Sequence, residues 1–62
     1  MITMSQVKQA MELLHNPKMY RTADSQVRWL ARCLDLNERV KDYNGTLESA
    51  IECLTYGGYE IV

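Results

Sequence analysis

The sequence predicts a small all-α domain of three helices. Apolar residues recur at helical spacing in three separate segments, each segment opens on a capping residue, and each is followed by a punctuating dipeptide or turn. Asn16-Pro17, Asn44-Gly45 and Gly57-Gly58 are the clearest of these stops.

Helix 1 is expected over 4–15. Thr3-Met4-Ser5-Gln6 fits the S/T-x-x-E/Q capping box, and Ile2 and Val7 take the two positions of a hydrophobic staple. Val7, Ala10, Met11 and Leu14 then form a one-face apolar stripe with Leu13 beside it. The residue before a proline avoids the helical region, so His15-Asn16-Pro17 closes the helix and residues 18–21 read as a connection.

Helix 2 is expected over 23–43, with Thr22 or Asp24 as its cap. Val27, Leu30, Ala31 and Leu34 make its main apolar stripe. A second stripe of Trp29, Cys33, Leu36, Val40 and Tyr43 steps by four, three, four and three, the spacing of a helix seam. That stripe passes Asn37, which favours one long helix, straight or kinked near Asn37; in the competing reading Asn37 caps a short separate helix. Helix 3 is expected over 47–56, capped by Thr46, with Leu47, Ala50, Ile51 and Leu54 as its apolar face and Cys53 adjacent. Gly57-Gly58 stops it, because glycine accepts the left-handed conformation after a helix end. The tail over 57–62 ends in an alternating, β-prone Tyr59-Glu60-Ile61-Val62 for which the sequence names no partner strand.

The chain has 62 residues, a formal charge of -1, an apolar fraction of 47% and a charged fraction of 24%. These are globular averages, so an ordered single domain over 1–62 is expected. A ligand cavity of roughly 300 Å³ or more would hollow out most of such an interior, which argues against a small-molecule enzyme. Near-neutral charge leaves no bulk field toward nucleic acid or anionic membranes. No stretch approaches the ~18 apolar residues of a membrane span, and the opening MITMSQVKQ lacks a basic region followed by an apolar core, so a cytoplasmic protein is expected. Cys33 and Cys53 show no CxxC spacing and fall among apolar neighbours, as reduced thiols of a core do. Folding so short a chain costs roughly 1.5 kcal/mol per residue in ordering, nearly all that one small core returns. Self-association or docking on a partner is the expected supplement.

No catalytic constellation is expected. His15 is the only histidine and sits at a helix end, the carboxylates are dispersed, and there is no glycine-rich phosphate loop. His15, Cys33 and Cys53 do not fall in a metal-binding spacing, so neither metal nor cofactor is expected. The basic residues are better organised. Arg21, Arg28, Arg32 and Arg39, seven, four and seven apart, share one line on a continuous helix 2 and span about 27 Å. Asp24, Asp35 and Asp42 flank that line, so a salt-bridged solvent face competes with a binding stripe.

Residues Leu30 to Asn37 look like the first half of a helix-turn-helix, which would make Asn37 to Tyr43 a recognition helix served by Arg32, Arg39 and Lys41. That motif expects glycine at Asp35 and apolar residues at Lys41 and Asn44, so a DNA-binding regulator is the alternative rather than the preferred reading. The preferred surface is the second stripe of helix 2. Trp29, Leu36, Val40 and Tyr43 serve as apolar anchors and Arg21, Arg28, Arg32 and Arg39 orient the partner; the competing reading buries both stripes beneath helices 1 and 3.

In its size, capped helices and lack of catalytic motifs, the chain resembles the very small helical proteins encoded in the early regions of temperate bacteriophages and prophages. That resemblance implies a regulator or a binder of host proteins. The expectation is thus a non-enzymatic regulator or adaptor that binds a protein, host or self, with homodimerisation expected and no membrane association.

Overall fold

A computed structural model describes residues 1–39 and 43–62, with the backbone alone described for 37–39. It is a small all-α three-helix domain with a radius of gyration of 10.4 Å. Helix α1 spans Met4–His15, α2 spans Ser25–Arg39 and α3 spans Leu47–Tyr56. A short 3₁₀ turn, Pro17–Arg21, lies between α1 and α2 where the sequence suggested only a connection. Proline opens this turn at its first position, where its fixed φ suits a helical start and its missing N–H costs nothing.

The capping box at α1 is complete. The Gln6 N–H donates to Thr3 Oγ1 at 3.1 Å and the Thr3 N–H donates to Gln6 Oε1 at 2.9 Å. Ile2 and Val7 are both fully buried, as a staple requires. On α2 the Asp24 carboxylate accepts from the Gln26 N–H at 3.2 Å, which settles the choice of cap in favour of Asp24.

Val27, Leu30, Ala31 and Leu34 of α2 are buried against Val7, Ala10 and Leu13 of α1 and Ala50, Cys53 and Leu54 of α3 in one core. Leu13 sits deeper than Leu14, and Cys53 deeper than Ile51, so in α1 and α3 the buried stripe is rotated by one residue from its expected centre.

Helix α2 is unbroken through Asn37 to Arg39. Its expected extension over 40–42 lies outside the described residues, and Tyr43, expected on the helix, has left it. Continuity across Asp35 to Asn37 also removes the turn that the helix-turn-helix register requires. After Tyr43, Gly45 takes φ 92°, and Asn44 Oδ1 accepts from both the N–H and the hydroxyl of Thr46, at 3.1 and 2.8 Å. Thr46 Oγ1 then accepts from the Ser49 N–H at 3.2 Å to cap α3.

Helix α3 ends in a Schellman motif. Tyr59 N–H donates to Leu54 C=O and Gly58 N–H to Thr55 C=O, both at 3.0 Å, with Gly58 at φ 97°. The reversal carries the tail back to the start of the chain. Ile2 N–H donates to Glu60 C=O at 2.8 Å and Val62 N–H to Ile2 C=O at 2.9 Å, forming a parallel bridge between Ile2 and Ile61. The partner for the β-prone tail is therefore the segment that leads into α1.

Candidate functional site on the outer face of α2

With Val27, Leu30, Ala31 and Leu34 turned to the core, helical geometry points Ser25, Trp29, Arg32 and Leu36 the opposite way. Trp29 and Leu36 are each 57% exposed, one heptad apart, with Arg32 between them. Helices α1 and α3 thus cover one stripe of α2 and leave this part of the second uncovered. Trp29, Arg32, Cys33 and Leu36 together line a shallow depression of about 230 Å³.

Cys33 marks the edge of this face. Its thiol is half-buried and lies 3.9 Å from the Tyr59 hydroxyl. Burial pushes the Tyr59 phenol above its ordinary pKa, the neighbouring thiol adds to the rise, and hydrogen bonding with the Trp29 side chain partly offsets it. The tail therefore contacts the flank of the Trp29–Leu36 shelf. Cys53 is buried, and both cysteines are free thiols.

On the other side of Arg32 lies a second, larger feature. A groove of about 600 Å³ runs between the end of α1, the 3₁₀ turn and α2, with Leu13, Leu14 and Ala31 among its apolar lining and Tyr20, Arg21, Arg32 and Asp35 its polar lining. The Arg28 guanidinium lies 5.9 Å from the centre of the Tyr20 ring, a cation–π contact that holds arginine over the turn. Arg32 lines both the groove and the shelf.

Several expected site residues are placed differently. Tyr43 is 4% exposed and belongs to the core, so it is not a surface anchor. Its period matched the seam, but the helix that would have carried it outward ends first. Arg21 belongs to the 3₁₀ turn, not to α2, so the expected straight line of four arginines does not exist on one helix. Arg28 and Arg32 do share α2, whereas Val40 and the side chain of Arg39 lie outside the described residues. Sequence reasoning missed Tyr20, Leu14 and Asp35 as site residues. Pro17 at the head of a four-residue polar-apolar run was the available signal that residues 18–21 form a structured turn able to hold Tyr20.

His15 is exposed at the end of α1, and among the described residues no three His, Cys, Asp or Glu side chains cluster as metal ligands do. None of the described helices is long and apolar enough to cross a membrane. Comparison of the chain with protein-family models, curated proteins and solved structures finds no match, so the reading of this face rests on its geometry.

Proposed function

We propose that this chain is a non-enzymatic regulator or adaptor of the cytoplasm that works by binding another protein through the outer face of α2. The observation that carries the reading is the exposure of Trp29 and Leu36 on the face of α2 that points away from the core, separated by one turned-out arginine. Tryptophan and arginine are the residue types that most often dominate interface energies, and an isolated small domain has no packing use for them there. A regulator of this size acts by occupying a surface, because its interior is filled by its own side chains. The bacteriophage setting implied by the resemblance fits that mode of action.

The test is site-specific photo-crosslinking in the cells that express the chain. A crosslinker at position 29 or 36 is expected to yield one discrete protein adduct, while the same group at exposed Glu52 of α3 yields none. Adducts that are equally abundant from both helices, or absent from α2, overturn the proposal.

A further inference from the structure

The groove beside the Trp29 shelf specifies the chemistry of the partner. We infer that its occupant is an acidic amphipathic segment of another protein, which sets a large apolar side chain between Leu14 and Tyr20 and its carboxylates on Arg21 and Arg32. This inference rests on reading the outer face of α2 as protein-binding.

Charge carries the first step. The whole chain is acidic by one, yet two arginines, Arg21 and Arg32, line this groove against one carboxylate, Asp35, and Arg28 lies over the ring of the lining Tyr20. A surface more basic than the molecule that bears it attracts a partner of opposite sign and orients it on approach. Arginine also suits carboxylates better than lysine does, since its planar fork can hold both oxygens.

Shape carries the second. An interface of standard size needs about 800 Å² from each partner, a substantial share of a surface of 4559 Å². Neither the shelf nor the groove extends far alone. Arg32 lines both, so a single segment crossing it reaches Trp29 and Leu36 on one side and the groove on the other.

A second copy of the chain fits less well. Arg32 lies on the same face as Trp29 and Leu36 and between them in sequence. Two-fold antiparallel pairing that sets Trp29 of each copy against Leu36 of the other therefore brings the two Arg32 side chains together at the axis, where like charges repel. Nucleic acid fits less well again, since a phosphate backbone offers the apolar floor nothing.

The experiment is selection from a displayed random-peptide library on the intact chain. The enriched peptides are expected to carry several Asp or Glu residues around one large apolar residue. Their affinity should fall about tenfold or more on the Arg21→Glu/Arg32→Glu variant, as loss of charge-assisted contacts implies. Lysine-substituted versions should recover binding to that variant, and circular dichroism should show it folded, since both positions are exposed.

Enriched peptides that are neutral or basic, or acidic ones indifferent to the charge reversal, overturn the inference. If such peptides still lose affinity on Trp29→Ala, the protein-binding face stands and only the acidic partner falls; if nothing is enriched, both fall. A dimer in sedimentation equilibrium that Trp29→Ala dissolves gives the face to a second copy instead. Binding of a random-sequence DNA duplex, lost on the same charge reversal, gives it to nucleic acid, and either result overturns the acidic-segment inference.

Discussion

The Tyr59 hydroxyl and the Cys33 thiol sit 3.9 Å apart although the residues are 26 positions distant in the chain. This contact closes the tail onto the side of α2. The Schellman turn at Gly57-Gly58 aims Tyr59 there, and the bridge from Ile61 to Ile2 holds the following residues in place. The edge of the candidate interface is thus built by the tail as well as by α2.

Burial of Tyr59 beside α2, with Cys33 adding to it, makes stability fall at alkaline pH. The folded pKa of Tyr59 lies above its usual 10.0, chiefly through burial and secondly through Cys33. A raised folded pKa contributes stability that is fully present below the unfolded value, about 10, and is lost as pH rises through the folded value. The wild-type melting temperature should therefore fall more steeply above about pH 10 than that of Tyr59→Phe, while the two run parallel below it. Parallel curves throughout would show that Tyr59 ionises as freely folded as unfolded.

Ile2 joins the tail, the entry to α1 and the core in one side chain, being 1% exposed and bridged to Ile61. Ile2→Ala should cost about 2–5 kcal/mol in urea denaturation, the range for truncating a buried aliphatic side chain. A domain of this size holds only about 3–5 kcal/mol from its core. The variant should consequently be substantially unfolded at room temperature, whereas Ile61→Ala, at a half-buried position, should remain folded.

The two adjacent glycines should respond oppositely to alanine. Gly58 has φ 97°, so a β-carbon there is strained by about 1–2 kcal/mol even though the space around it is open. Gly57 has φ -76° and would place a β-carbon at ordinary contact, 3.5 Å from two carbonyl oxygens. Gly57→Ala should leave stability unchanged or raise it by about 0.4–1 kcal/mol through the unfolded chain. Thermal melts of the two variants separate these outcomes.

What the sequence revealed and what it concealed divide by range. Capping and stripes are local, and Thr3, Thr46, Val27 and Leu30 could be assigned from their immediate neighbours. The partner of the tail could not, because pairing of Ile61 with Ile2 depends on where three helices bring the two ends. Arg21 and Tyr43 failed for one shared reason. Their spacing was projected along a helix longer than α2, and a residue's face follows from periodicity only while the helix lasts. Trp29, Leu36, Arg28 and Arg32 lie within the helix, and their relative positions followed from spacing alone. Which stripe stays exposed did not, since that depends on the placement of α1 and α3.

Trp29 and Tyr43 put that distinction to a quantitative test. Both are large aromatic residues of one predicted seam, and spacing alone treats them as equivalent anchors. Tyr43, buried in the core, should cost about 3–5 kcal/mol as Tyr43→Ala, by analogy with other buried aromatic residues. Trp29 is 57% exposed, and its loss removes surface already largely in water. Trp29→Ala should thus stay within about 1 kcal/mol of wild type. Chemical denaturation measures both. A large loss at Trp29 would mean that its ring is part of the chain's own structural support; a small loss leaves the side chain without a folding role that accounts for it. A marginal domain that keeps its largest apolar side chain outside the core, one turn from Arg32, gains from it only when something covers it.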